Sequence, residues 1–97
     1  MIYRLITYRY RDDTTVAQID ELHQLMQELD SALAPEIKVL YGPDVMPANK
    51  DPRREAYLVI APDGDKLLNY YQPHPLHQEM LARLDWLEDM VAADLQA

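Results

Sequence analysis

The residues with the clearest chemical potential lie in the segment 71–77. The chain has only three histidines, and two of them, His74 and His77, lie three residues apart here. An imidazole titrates near neutral pH, so it can accept and return a proton under cellular conditions. Tyr71 adds a phenolic hydroxyl that could donate to a developing enolate. The segment therefore indicates acid–base chemistry, with His77 and Tyr71 as candidate catalytic residues.

The same segment also has a purely structural interpretation. Pro75 suits the first position of a helix, so His74 would be the helix cap that precedes it. His77 could then be an ordinary, partly buried histidine of the first turn. A third interpretation takes His74, His77 and Glu79 as metal ligands, but the chain has no cysteine and no second compact acidic cluster. We therefore expect no metal site.

The first half of the chain contains the elements that must position this segment. Residues 2–10 alternate between two sets of side chains, which is typical of a strand. Thr15 and Gln18 form a capping-box pattern, followed by apolar residues at spacings of three and four until Pro35 ends the helix. A second strand is predicted over 37–41.

The second half supplies a strand over 56–61, a short helix over 66–71 and a longer helix that begins at Pro75. Its apolar stripe is predicted to run through Leu76, Met80, Leu84, Leu87 and Val91. The tail over 90–95 is ambiguous, because its alanines favour a helix whereas the topology needs a fourth strand. The βαββαβ order predicts one α+β domain over 1–97, a ferredoxin-like sandwich with its helices on one face of the sheet.

Both faces of the first and third predicted strands are apolar, although helices can cover only one of them. A second copy of the chain covering the bare face is the simplest solution, so we expect a homodimer. The pattern does not choose between two sheets that merely pack together and two sheets that enclose a ligand cavity.

Composition excludes several classes of function. Seventeen acidic residues against nine basic ones give a net charge of −8, which disfavours nucleic acid and anionic membranes as partners. The only glycines are Gly42 and Gly64 and the only serine is Ser31, so a phosphate-binding loop and a serine triad are not expected. There is no signal-peptide pattern and no long apolar run, which predicts a soluble cytoplasmic protein.

Several short motifs, in this order and at these spacings, resemble those of the stress-responsive dimeric α/β-barrel (Dabb) family over nearly the whole chain. They are the opening strand 2–6, Tyr10-Arg11-Asp12, Gly42-x-Asp44-Val45-x-Pro47, Tyr71-x-x-His74-Pro75-x-His77 and Leu87-Glu88-Asp89. The resemblance implies a homodimeric barrel of two ferredoxin-like halves, and it implies a strand over 90–95.

The resemblance also implies possible chemistry. A plant branch of the family cyclises linear poly-β-ketones by aldol chemistry without a cofactor, using the tyrosine and second histidine that match Tyr71 and His77. Related barrels include cofactor-free monooxygenases, and most bacterial members have no assigned reaction. Many members carry a histidine on the first strand where this chain has Arg4. Arginine cannot act as a base near pH 7, but it can hold a carboxylate or an enolate.

We therefore expect a cavity for a small molecule, with no cofactor. Its predicted lining is Arg4, Ile6, Tyr8, Leu58 and Ile60, with Tyr71, His77 and His23 at the polar end. His77 would be the acid or base, Tyr71 the hydrogen-bond donor and Arg4 the anchor for an anionic group. The expected reaction is proton abstraction beside a carbonyl of a small acidic or β-keto compound, followed by aldol or lyase chemistry. The competing hypotheses are a non-catalytic ligand-binding or stress-response module and a cofactor-free monooxygenase.

Overall fold

A computed structural model describes residues 1–97 and has an α+β, ferredoxin-like fold. The elements are β1 (Ile2–Tyr10), α1 (Val16–Leu33), β2 (Lys38–Pro43), β3 (Arg54–Ala61), α2 (Gly64–Lys66), a π-helical turn (Leu67–Tyr71), α3 (Pro75–Leu81), a 3₁₀ turn (Leu84–Trp86) and β4 (Leu87–Gln96). The four strands form one antiparallel sheet in the order β2-β3-β1-β4. The predicted fold class is confirmed.

Helix α1 forms because its cap and its apolar spacing agree. The Thr15 side chain accepts a hydrogen bond from the Gln18 backbone N–H, and the Gln18 side chain accepts one from the Thr15 N–H. Leu22, Met26 and Leu29 are buried against the sheet side of the helix. The predicted helix is therefore present with its predicted start and end.

The second half differs from its sequence prediction in two places. Helix α3 ends at Leu81, so the predicted stripe is wrong beyond that residue, and Leu87 and Val91 lie in β4 instead. Strand β4 pairs along the free edge of β1, from Ile2 opposite Gln96 to Tyr10 opposite Leu87. These ladder hydrogen bonds outweigh the weak helix preference of the alanines in the tail.

The second difference is that 67–71 forms a π-helical turn after the three-residue α2.

The register of the sheet assigns each strand residue to one of two faces. Arg4 lies opposite Val59 on β3 and opposite Asp94 on β4, and its face is the one that the helices cover. Leu58 lies opposite Leu5, so it belongs to the other face. Because side chains alternate along a strand, the even-numbered side chains of β1 and the odd-numbered ones of β3 share the covered face.

The core between sheet and helices is unusually rich in tyrosine. Tyr8, Tyr10, Tyr57 and Tyr71 are all at most 2% exposed. Every buried hydroxyl has a partner, as a buried phenol requires. The result is a core that positions polar atoms as well as filling space.

The opposite face of the sheet carries no helix. Four of its side chains are large, apolar and between 45% and 65% exposed; they are Leu5, Leu40, Val91 and Leu95. We call these four residues the open-face cluster. None of the helices combines the length and the apolar character that crossing a membrane requires.

Candidate active site

A cleft of about 400 Å³ opens between the sheet and helix α3. Its lining comes from β1, the turn before α3, α3 itself and β4; the nine residues are Arg4, Ile6, Tyr71, Gln72, His77, Leu81, Ala92, Ala93 and Asp94. A smaller apolar pocket of about 90 Å³ adjoins it and shares four of these residues: Ile6, Tyr71, His77 and Leu81. The cleft thus has a polar mouth and an apolar inner end.

His77 presents one ring nitrogen to the protein and the other to the cleft. Its Nδ1 lies 2.8 Å from the Gln72 carbonyl oxygen. A carbonyl can only accept, so Nδ1 carries the proton and Nε2 holds the lone pair. Nε2 has no partner in the protein, yet no buried side-chain nitrogen is unpaired, so Nε2 is in contact with solvent. A neutral imidazole with an accessible Nε2 is the form a general base requires.

The environment keeps His77 neutral. Burial lowers the pKa of the imidazole below its usual 6.5, and the nearby Arg4 and His74 lower it further. The hydrogen bond to the Gln72 carbonyl acts in the opposite direction, because it stabilises the protonated ring. Burial is the larger effect, so the base is unprotonated at neutral pH.

The chain geometry around His77 is set by two neighbouring features. His74 is the cap of α3: its Nδ1 accepts a hydrogen bond of 3.1 Å from the Leu76 N–H, and Pro75 occupies the first helical position. The π-helical turn closes with a hydrogen bond of 3.0 Å from the Gln72 N–H to the Leu67 carbonyl. Gln72 leaves this turn with its own carbonyl directed at His77.

Tyr71 packs its ring against His77, with 4.4 Å between the ring centres. Its hydroxyl lies 2.9 Å from that of Tyr57, which lines the apolar pocket. Burial raises the pKa of both phenols, so both stay protonated at neutral pH. One hydrogen bond between two hydroxyls uses one of their two protons. The pair therefore keeps a second proton that this hydrogen bond does not use.

Arg4 lies at the mouth of the cleft, where its guanidinium is already paired. Its Nε and Nη2 donate to the two carboxylate oxygens of Asp94 at 2.9 and 3.0 Å, and its Nη1 donates to Gln72 Oε1 at 2.9 Å. The hydrogen bond with Asp94 raises the pKa of Arg4 and lowers the pKa of Asp94. The sequence predicts a guanidinium that is available to an anion, whereas here its charge is balanced within the protein.

Two predicted lining residues lie on the wrong face of the sheet. Leu58 and Ile60 pair with Leu5 and Tyr3 and share the uncovered face with them. The prediction that they line the cavity is corrected, because a one-residue shift in the expected register moves every side chain to the opposite face. Ile6 lies in the wall of the cleft, as its alternation with Arg4 indicates.

His23 and Tyr8 belong to a separate polar cluster around Glu55. Glu55 is 9% exposed, and its carboxylate accepts hydrogen bonds from Tyr8 at 2.9 Å and Tyr10 at 2.6 Å, with His23 Nε2 at 2.9 Å. Tyr8 still lines the apolar pocket with its ring, but His23 lines neither the cleft nor the pocket. The expectation that His23 lies at the polar end of the cavity is therefore corrected: its ring pairs with Glu55 and stacks on Tyr41.

Gln72 and Asp94 are site residues that the sequence analysis missed. Gln72 lies inside the Tyr71–His77 segment, but nothing in its type or spacing shows that it links His77 to Arg4. Asp94 could have been found by pairing the tail with the first strand in register, which places it opposite Arg4. No group of three or more histidine, aspartate or glutamate side chains is arranged to hold a metal ion.

Comparison with known proteins gives matches at the level of structure. No protein-family model matches the chain, and no curated protein sequence matches it either. A dimeric ferredoxin-like protein of unknown function from Jannaschia sp. CCS1 has a TM-score of 0.80 and 19% identity, covering 99% of this chain and 98% of that chain. A dimeric ferredoxin-like protein of unknown function from Thermobifida fusca YX has a TM-score of 0.71 and 28% identity, covering 100% and 92%.

An enzyme is also among the similar structures. Hydroxynitrile lyase from Passiflora edulis has a TM-score of 0.74 and 24% identity, covering 97% of this chain and 91% of that chain. Together these likenesses establish that the chain has the fold found in dimeric ferredoxin-like proteins. The same fold is found in enzymes and in proteins of unknown function, so the site itself must carry the argument for function.

Proposed function

We propose that the chain is a homodimeric α/β-barrel protein of the Dabb type in which His77 removes a proton beside the carbonyl of a small β-keto compound. One observation carries this proposal: His77 Nδ1 is held by the Gln72 carbonyl at 2.8 Å while Nε2 is left unpaired at the cleft. A merely structural histidine would be expected to use both nitrogens or to lie in bulk water. The His77 ring is buried and neutral, and its Nε2 is accessible from the cleft.

The reaction follows from the donors around the cleft. His77 Nε2 takes a proton from the carbon between two carbonyls, and the electron pair of that C–H bond moves to give an enolate. The enolate oxygen accepts hydrogen bonds from the spare proton of the Tyr57–Tyr71 pair and from an Arg4 N–H. The enolate carbon then adds to a second carbonyl in an aldol step, and the imidazolium returns its proton to the new alkoxide. No cofactor is consumed.

Each participant supplies an ordinary catalytic effect. A positioned acid or base is worth about 10²–10⁴-fold in rate. The Gln72 carbonyl stabilises the imidazolium that forms when Nε2 takes the proton, so it favours the transfer as well as fixing the ring. Lyase chemistry needs the same parts, because cleavage of a bond beside a hydroxyl also begins with removal of a proton by a base. The hydroxynitrile lyase of similar structure makes that variant worth including in a substrate screen.

The homodimer is supported by the open-face cluster. Its four side chains form an apolar surface on a sheet whose other face is covered by the helices. Large apolar surfaces of this kind are typical of interfaces. The similar proteins from Jannaschia and Thermobifida are described as dimeric. A second sheet packed on this face would leave both clefts on the outer, helical sides of the pair.

The test is exchange of the acidic protons of ethyl acetoacetate, followed by proton NMR in D₂O. The wild-type protein should accelerate exchange. His77→Asn keeps an N–H donor for the Gln72 carbonyl and removes the base, so the acceleration should fall by about 10²–10⁴-fold. His74→Asn is the matched control, because asparagine is a good helix cap. It should keep the wild-type rate.

Two outcomes would contradict the proposal. One is a wild-type exchange rate equal to that of the His77→Asn variant, which would leave the cleft as a ligand-binding site without catalysis. The other is equal loss in the His74→Asn control, which would show that the effect comes from disturbance of α3. Circular dichroism of all three proteins, recorded in the same buffer, distinguishes loss of activity from loss of folding.

A further inference from the structure

We infer that Asp94 makes the cleft selective for electrically neutral carbonyl compounds over carboxylates. The inference deepens the proposed function, since it names the substrate class of the same site. It concerns a residue whose side chain takes no part in the proton transfer. Its role is to decide which charge the mouth of the cleft accepts.

The pairing of Arg4 accounts for the selectivity. A guanidinium has five N–H donors, and Asp94 takes two of them while Gln72 takes a third. One N–H on each terminal nitrogen is left over. These can donate to the oxygen of a neutral ketone or ester. The positive charge itself is matched by the two-point contact with Asp94, the geometry in which arginine binds carboxylates most strongly.

The pair is built into the sheet. Arg4 and Asp94 are directly opposite each other on β1 and β4, so the register itself holds the two side chains on the same face. The Arg4 side chain is 20% exposed and that of Asp94 is 47% exposed, so the carboxylate is the more exposed partner at the mouth. A substrate carboxylate would have to approach this negative charge or displace it. A neutral carbonyl meets neither obstacle.

No positively charged side chain lies deeper in the site. The apolar pocket behind the cleft is lined by 11 hydrophobic residues and His77. His77 is neutral at neutral pH, for the reasons given above, and the whole chain carries a net charge of −8. An apolar group of the substrate would therefore enter the pocket, with its carbonyl toward His77 and the spare Arg4 donors.

The test is binding, which does not require turnover. Ethyl acetoacetate and acetoacetate have the same β-keto unit and differ in charge. Their affinities are measured by NMR chemical-shift titration of the cleft residues. The wild-type protein should bind the ester at least about tenfold more tightly than the acid. This is the difference expected if the acid cannot form a charged hydrogen bond with Arg4 because Asp94 already occupies it. Asp94→Asn should shift the ratio about 10–100-fold toward the acid, because it frees the Arg4 charge.

Two further variants make the result decisive. Glu21→Gln is the matched control: Glu21 pairs with Arg83 at 2.8 Å, neither residue lines the cleft, and the substitution removes the same charge. It should leave the ratio unchanged. The double variant Arg4→Gln/Asp94→Asn has no charge at the mouth, so it should lose the gain for acetoacetate. Should Asp94→Asn unfold, the comparison of Arg4→Gln with the double variant still measures the role of Asp94. Arg4→Gln leaves the Asp94 charge unbalanced and should strengthen the preference for the ester, whereas the double variant should prefer the ester less than Arg4→Gln does.

The outcomes separate this inference from the proposed function. A wild-type protein that binds acetoacetate as tightly as the ester, or an Asp94→Asn ratio equal to that of Glu21→Gln, would overturn the role of Asp94 even if proton exchange is catalysed. Failure of both ligands to bind would overturn it as well. Conversely, selective binding without accelerated exchange would overturn the catalytic proposal and leave the selectivity intact.

Discussion

His77 couples proton binding to folding, because its burial favours the neutral imidazole. The pKa of the folded state lies below the 6.5 of an ordinary histidine. Above pH 6.5 neither the folded nor the unfolded chain protonates this residue, so its contribution to the free energy of unfolding is fully present. As the pH falls through 6.5, the unfolded chain binds a proton that the folded chain does not. The free energy of unfolding therefore decreases until the pH reaches the folded-state pKa.

This sign gives a prediction for stability. The wild-type protein should lose more stability between about pH 7.5 and about pH 5.5 than His77→Asn does, since asparagine does not titrate. Urea unfolding of both proteins at the two pH values measures the difference, with His74→Asn as a control that retains His77. Equal pH dependence in the wild type and in His77→Asn would show that His77 protonates freely in the folded state.

At the scale of the residue, the sequence indicates the candidate site residues better than it indicates their contacts. Tyr71 and His77 stand out because histidine is scarce and the two residues flank a Pro-His-Pro helix start, which is a local signal. The partners of Arg4 are not local: Asp94 is ninety residues away along the chain. His23 was misplaced because a histidine on a helix face has no sequence feature that shows whether it meets a ligand or a buried carboxylate such as Glu55.

At the scale of the element, α3 depends on its first turn. The helix has only seven residues, so its stability depends strongly on the His74 cap and on Pro75. His74→Ala should lower the free energy of unfolding by about 1 kcal/mol, the usual value of a lost cap. Thermal melting of His74→Ala and His74→Asn checks this, because only the alanine variant loses the acceptor. A melting temperature equal in both variants would contradict the capping role.

Elements with strong local patterns were predicted well. Strand β1, helix α1 and strand β3 follow from alternation, a capping box and an apolar run. The stretch after Leu81 was predicted incorrectly, because apolar residues at spacings of three and four can belong either to a helix or to an edge strand. The choice between helix and strand depends on the free edge of β1, with which β4 pairs and which exists only in the assembled sheet. The π-helical turn has no established sequence signal either, although it sets the position of Gln72.

At the scale of the whole molecule, the open-face cluster predicts association. Leu5 lies on β1 in the middle of the uncovered face and is 45% exposed in the isolated chain. A lysine there would place a charge in an apolar interface, so Leu5→Lys should dissociate the dimer. Sedimentation at micromolar concentration should show twice the 11.3 kDa of one chain for the wild type and the single-chain mass for Leu5→Lys.

Leu68→Lys serves as the control for this prediction. Leu68 is 57% exposed but lies in the π-helical turn, on the helical side of the molecule. The substitution should leave the dimer intact. A wild-type protein that sediments as one chain would contradict the assignment of the open face to a second copy. The fold class and the apolar character of the helix-free face could be predicted from the sequence. The register that assigns Leu58 and Ile60 to this face could not.

The central claim, that His77 acts as a base with its Nε2 lone pair, is tested most directly by the pH dependence of ethyl acetoacetate exchange. The catalysed rate of the wild-type protein should be constant above neutral pH and should fall in acid, with an apparent pKa below 6.5 that is the pKa of His77. The His77→Asn variant should show no such step. A wild-type rate that does not change through this range, or the same step in His77→Asn, would contradict the account.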